Sequence, residues 1–257
     1  MRRQKIIWVP TPTFLYRNYH YKRLVKGLSK DSFFLDVGSG NGEFVKFLLD
    51  KGFCGEAIDI SHEAVWFFKK QLGRAKGIKI IQGDVFKYKP AKKYDVVFCF
   101  ETLEHIKDDA GAIKKIYSFL RPGGMILISV PAHMSEWDKM DEIKGHYRRY
   151  EKKEVFQKLR QAGFQKVKVF DYGFPFLWIL RRITKTGKLI TFFGQEKDKE
   201  SRSEESSIQQ EYNPKLKPIV ANPLILYPMF KIMDLFIGTD LGFGYIAYGT
   251  RQTGKKT

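Results

Sequence analysis

The 257-residue sequence predicts an α/β fold, a mostly parallel sheet flanked by helices. Two observations carry that reading. An apolar strand around Phe34-Leu35-Asp36-Val37 runs straight into Gly38-Ser39-Gly40-Asn41-Gly42 and then a helix, and later apolar strands end repeatedly in an acid or a glycine turn. Glycines let the backbone take up positive φ and approach a ligand closely. A helix that starts near Gly42 points unpaired N–H groups at an incoming anion. Strand, loop and helix together make a nucleotide-type cofactor site. The spacing Gly-x-Gly-x-Gly departs in its last step from the Gly-x-Gly-x-x-Gly that supports a pyrophosphate, so the expected anion is smaller, such as an amino-acid carboxylate.

The remaining elements follow in order. An apolar helix extends to about Lys51, a strand over 54–58 ends at Asp59, and a helix starts at Ser61. A strand over 78–81 leads to Gly83-Asp84-Val85, and a strand over 94–100 runs into Glu101-Thr102-Leu103-Glu104-His105-Ile106. Leu120-Arg121-Pro122-Gly123-Gly124 precedes a strand over 125–130. A helix over 152–162 stops at Gly163, a C-capping glycine, and alternation over 164–172 reads as a sixth strand. In this order and register, residues from about 30 to 170 resemble the class I S-adenosylmethionine (SAM)-dependent methyltransferases.

That resemblance implies a Rossmann-like seven-stranded sheet whose last strand is antiparallel, with SAM as cofactor. It places the methionine carboxylate at the N–H groups around Gly38, Ser39, Gly40 and Gly42, with Asp36 near the methionine amine. Asp59 is positioned to accept both ribose hydroxyls, a task suited to a carboxylate. Asp84 would receive the adenine amino group, Val85 would offer a backbone N–H, and Ile60 and Ile106 would sandwich the ring. Glu101 is expected near the cofactor. Methyl transfer is a displacement with a neutral leaving thioether, so the enzyme's main task is alignment.

The chain divides into a basic arm over 1–30, a cofactor-binding core over 31–173, an insertion over 174–243, and a last strand over 244–250 with a basic tail to 257. The arm has no acid before Asp31, and its Arg and Lys residues alternate with Trp8, Phe14, Tyr16, Tyr19 and Tyr21. It reads either as a contact surface for nucleic acid or an anionic membrane, or as an amphipathic helix capping the sheet. The insertion pairs bulky apolar residues with Arg181, Arg182, Lys185 and Lys188, and its charged, serine-rich stretch over 195–211 reads as a mobile loop. A helical lid over the acceptor is expected there, with its basic residues at membrane headgroups. No apolar run is long enough to span a membrane and no signal-peptide core follows Met1, so the expected setting is cytoplasmic, with peripheral contact to an anionic membrane. Cys54 and Cys99 read as small buried residues in a reducing compartment, without zinc spacing.

Glu101, Glu104 and His105 share one face if a helical turn follows the fourth strand. Glu-x-x-Glu-His resembles the metal site of the ubiquinone-pathway O-methyltransferases and of the small-RNA 3′-terminal methyltransferases. His146, or alternatively His133, would complete a magnesium-type set. In other relatives of the fold the same motif holds no metal, with Glu104 facing solvent and His105 packed inside. His146 is then the candidate general base, or with Arg148 and Arg149 a grip on an acidic group; otherwise the arginines cap the next helix. Aromatic content of 15%, the apolar insertion and the net charge of +18 favour a small-molecule or lipid-linked acceptor carrying a negative group, methylated on oxygen. An RNA acceptor comes second. A dinucleotide-dependent oxidoreductase fits the glycine spacing less well, and a non-catalytic SAM-binding module would not need every cofactor acid.

Overall fold

The computed structural model describes residues 12–185 and 222–253. The serine-rich stretch over 195–211, Lys188, the first eleven residues of the arm and the last four of the tail therefore lie outside the described residues. The strands are β1 (Phe33–Val37), β2 (Cys54–Asp59), β3 (Ile78–Gln82), β4 (Tyr94–Phe100), β5 (Leu120–Pro131), β6 (Phe164–Tyr172) and β7 (Gly244–Arg251). They form one sheet in the order β3-β2-β1-β4-β5-β7-β6. β1 to β5 are parallel, and β7 runs antiparallel between β5 and β6. The order reverses between β1 and β4, and in open α/β sheets ligands bind beyond the carboxyl ends of the strands at such a switch point.

Period-two side-chain alternation sorts the core into two layers. Leu35, Val97, Cys99, Ile126, Ile128 and Ala247 point to one face, where α4 (Asp109–Phe119) and α6 (Lys152–Gln161) cover them with Ile113, Ile116, Val155 and Leu159. Their neighbours Phe34, Val96, Phe98, Leu127 and Ile246 point to the other face. That face is covered by α1 (Pro12–Val25), α2 (Glu43–Asp50), α3 (His62–Leu72), α7 (Phe176–Lys185) and α8 (Pro223–Asp234). A short α5 (Lys139–Ile143) follows β5, opened by a capping box in which Asp138 and Asp141 each accept the other's backbone N–H.

β5 begins earlier than its apolar core suggests, at Leu120, which pairs with Tyr94 ahead of a register shift. Tyr172, the last residue of β6, lies opposite Gly244, the first of β7, so the long excursion between them leaves and rejoins the sheet at one place. Asp171 closes its base by accepting the N–H groups of Gly238 (2.7 Å) and Gly242 (3.1 Å). Both cysteines are free, but only Cys99 is buried; Cys54 is exposed, because it opens β2 at the strand's outer end.

Candidate functional site

The loop after β1 is shaped by three glycines at positive φ: Gly38 at 73°, Gly40 at 53° and Gly42 at 77°. A side chain at Gly38 would run into Thr102, and one at Gly42 into the ring of Phe68. The expectation of free loop amides needs correction. Gly38 and Ser39 donate to the Ile58 carbonyl, Gly42 to Ser39, and Gly40 to Asp59 Oδ2 at 2.8 Å. The loop thus offers shape more than a row of unused donors. Asp59 accepts Ser61 N–H through its other oxygen at 2.9 Å, so each carboxylate oxygen retains acceptor capacity.

Around that turn the polar groups are short of partners. Ser39 Oγ is sealed from solvent with no hydrogen bond. Asp36 is 3% exposed, and burial, then repulsion from Asp59, pushes its carboxyl up to about 8. Burial also raises Asp59, opposed by its backbone donors. Asp84 stands just past β3, which pairs with β2, and accepts the Phe86 N–H at 2.8 Å; Val85 beside it is buried. Ile60 is 59% exposed directly after Asp59. Buried acids, a sealed hydroxyl and an exposed apolar side chain thus meet at the ends of β1, β2 and β3.

A second group gathers beyond β4 and β5. Glu101 adopts φ 50°, uncommon for a residue with a side chain. Its carboxylate accepts Ser129 Oγ at 2.9 Å and forms an ion pair with Arg17 of α1. Ligand atoms of Glu104, His105 and His146 lie within 4.8 Å of one another. The helical turn expected after β4 is a single 3₁₀ turn, Leu103–His105. It buries Glu104, which therefore does not face solvent, while Glu101, paired with Arg17, is not among that trio although its charge reaches Glu104. His133 is also elsewhere, 3.3 Å from Glu151.

Asp141 orders the neighbourhood of His146. It accepts from His146 Nδ1 at 2.9 Å, from Arg149 Nε through both oxygens, and from Arg181 at 3.1 Å. These partners outweigh burial and hold its carboxyl well below the usual range. A carboxylate on Nδ1 fixes the imidazole tautomer and leaves Nε2 as the acceptor. Burial depresses the His146 pKa, so the ring is neutral and able to take a proton.

Two expectations fail here. Arg149 is buried on Asp141 and the Ala132 carbonyl, and Arg148 pairs with Asp109 and the Lys107 carbonyl, so neither is left to grip a substrate. Arg181 likewise turns inward to Asp138 and Asp141 instead of toward headgroups. Sequence reasoning also missed Asp141 and Arg17. The only local sign of the first was the Asp138-x-x-Asp141 cap, and nothing singled out Arg17 among the arm's cations.

A strand–glycine loop–helix at the sheet's switch point, with an acid at or next to the end of each of the first two strands, defines an open α/β fold built to hold a nucleotide-type cofactor. The family described as "Methyltransferase domain" matches residues 15–169, and the chain belongs to it. Among curated relatives, malonyl-[acyl-carrier protein] O-methyltransferase 2 of Ilyobacter polytropus is 36% identical over 112 residues, 43% of this chain and 43% of the relative. A ubiquinone biosynthesis O-methyltransferase of Thiobacillus denitrificans is 28% identical over 98 residues, 37% of this chain and 42% of the relative. The matches thus span less than half of these relatives. Among solved structures, phosphoethanolamine N-methyltransferase 2 of Haemonchus contortus, in complex with S-adenosyl-L-methionine, superposes with a TM-score of 0.61 at 16% identity. It covers 95% of this chain and 54% of that one, and shows the shared fold.

Proposed function

We propose that the chain is a SAM-dependent methyltransferase that methylates a hydroxyl oxygen of a small-molecule or lipid-linked acceptor, with His146 as general base. The observation that carries the cofactor assignment is the pairing of the glycine loop with Asp36 and Asp59 at the ends of adjacent strands. A buried carboxyl raised to about 8, as Asp36 is, suits a cationic ligand. The remaining acceptor capacity of Asp59 suits two neighbouring hydroxyls, and exposed Ile60 offers an apolar surface to a flat ring. When bound, SAM supplies a methyl group on a sulfonium that attracts a nucleophile. Asp36, Ser39, Asp59, Asp84 and Val85 would hold it. His146 Nε2, backed by Asp141, takes the acceptor's proton as the oxygen becomes nucleophilic.

Titration of the full chain with SAM and with NAD tests this reading: saturable SAM binding is expected, and preference for NAD would overturn it. Asp59→Ala removes the ribose acceptor, at about 1.5–3 kcal/mol for hydrogen bonds to a charged group. SAM affinity should therefore fall roughly ten- to a hundredfold. Unchanged affinity would remove Asp59 from the site.

A second reading of His146 rests on Glu104, whose two carboxylate oxygens are sealed without partners, and on His105 Nδ1, equally unpartnered. With His146 they could hold a divalent ion, and Asp141 would be the outer carboxylate that orients a ligating histidine. Two imidazoles and one carboxylate suit zinc, manganese or iron better than the magnesium-type ion expected from sequence. The ion would lower the pKa of an acceptor hydroxyl. Elemental analysis of purified protein should then find one ion per chain, lost in Glu104→Gln; no uptake after exposure to zinc, manganese and iron(II) leaves His146 as the base alone.

The membrane contact also stands as a proposal. No helix among the described residues is long and apolar enough to cross a membrane. On and just after α8, however, Leu224 and Leu235 are 84% and 80% exposed, and Tyr227 and Ile232 are exposed beside Lys231. That surface suits shallow contact with an anionic bilayer from which a lipid-linked acceptor is taken.

A further inference from the structure

Two buried hydroxyls stand behind Glu101, and we infer that Ser129 and Tyr21 are positioning residues that hold its carboxylate beside the glycine loop, where it accepts a donor group of the bound cofactor. This rests on the reading above, in which that loop holds SAM. Glu101 follows β4 directly, and its successor Thr102 lies against Gly38 and donates to the Val37 carbonyl at 3.3 Å. Glu101 therefore stands at the switch point between β1 and β4. Its backbone is left-handed at φ 50°, a conformation that persists in a residue with a side chain only where the surroundings fix it.

Ser129 fixes it at two points. The Ser129 carbonyl accepts the Glu101 N–H at 2.9 Å, and Ser129 Oγ donates to Glu101 Oε1 at 2.9 Å. Tyr21 Oη donates in turn to Ser129 Oγ at 2.5 Å, and because a hydroxyl has a single hydrogen, that of Ser129 is committed to the acid. Tyr21 is itself held by rings around the same loop. It stacks on Phe100, with 3.6 Å between centroids and 3° between planes, and meets Phe44 of α2 edge-on at 5.7 Å. One side chain of α1 thus touches the residue before Glu101 and the first turn of the helix after the loop. Tyr21 and Ser129 are both buried, so they act on a ligand through Glu101. Each oxygen of that carboxylate has a protein donor, Ser129 on Oε1 and Arg17 on Oε2, and keeps acceptor capacity for a ligand.

The experiment titrates full-length protein with S-adenosylhomocysteine by calorimetry. Glu101→Gln should weaken binding about tenfold and Ser129→Ala about fivefold, as expected for a lost bond to a charged group felt directly or through one partner. Adding Ser129→Ala to Glu101→Gln should cost less than about twofold more, because residues that act through a shared partner are not additive, whereas a general loosening of the fold would cost the same in both backgrounds. Tyr21→Phe keeps the ring stack and removes only the hydroxyl. It should weaken binding about threefold in the wild type and be nearly silent in Glu101→Gln, and it carries the test where Ser129→Ala fails to fold. Unchanged affinity in any of the three single variants, or an equal loss in both backgrounds, overturns the inference while binding by the wild type preserves the methyltransferase reading. Failure of the wild-type protein to bind S-adenosylhomocysteine overturns that reading and this inference with it.

Discussion

Asp36 carries its proton into the neutral range, since burial and the charge of Asp59 push its carboxyl up to about 8. A cationic ligand beside it favours the carboxylate, so binding near pH 7 must release a proton. The sign follows by linkage: below about 8 the free protein holds the proton that the ligand displaces, so SAM affinity rises with pH by up to about tenfold per unit and levels off above that value. Calorimetry in buffers of different ionisation enthalpy should register the proton, and Asp36→Asn should flatten the profile; a flat wild-type profile from pH 6 to 8 would remove Asp36 from the cofactor's polar contacts. The positions of Asp36, Asp59 and Asp84, at or just beyond the ends of β1, β2 and β3, were legible in the sequence because local apolar pattern fixes where those strands stop. Arg17 and Asp141 were not, because their roles depend on partners that only the folded chain supplies. No periodicity distinguishes Arg17, which faces Glu101, from the other arm cations among the described residues.

The strands were easier to read than the helices around the site, because continuous apolar runs such as residues 96–99 report burial on both faces of a sheet. α1 shows what the pattern leaves out. It buries Tyr16, Tyr21 and Val25 against the sheet and exposes Lys22 and Arg23, yet its attachment to α8 depends on one acid far along the chain. Asp234 accepts the Tyr16 and Tyr19 hydroxyls at 3.0 and 3.1 Å and pairs with Arg23 at 2.8 Å. His20 also approaches it, but burial lowers that imidazole to about 4, so the contact is not an ion pair at neutral pH. Asp234→Ala strands the phenol of fully buried Tyr16, and an unsatisfied buried donor costs about 1–3 kcal/mol. Urea unfolding should show a loss of about 2 kcal/mol, with hydrogen exchange in α1 rising first. A loss under about 0.5 kcal/mol would mean that apolar packing alone holds the helix, within the usual range of neutral surface changes.

Taken as one body, the molecule combines a net charge of +18 with the exposed apolar residues of α8. Sedimentation with anionic vesicles should capture it at low salt and release it as salt screens the lysines and arginines. Leu224→Ser with Leu235→Ser should weaken capture, and equal recovery with neutral and anionic vesicles would refute the membrane contact. The sheet order could be anticipated from the family that the succession of strands resembles. The excursion after β6 could be bounded but not shaped, since its apolar residues carry no single period and Pro223 and Pro228 fall within α8. Its two ends nonetheless meet as neighbours, Tyr172 opposite Gly244, with Asp171 fastening the base. An appendage that departs and returns at one point is a replaceable part. Because the cost of closing a loop grows only with the logarithm of its length, evolution can lengthen, trim or exchange the stretch with little penalty to the sheet beneath. The sheet can thus stay fixed while the stretch that leaves and rejoins it is rewritten.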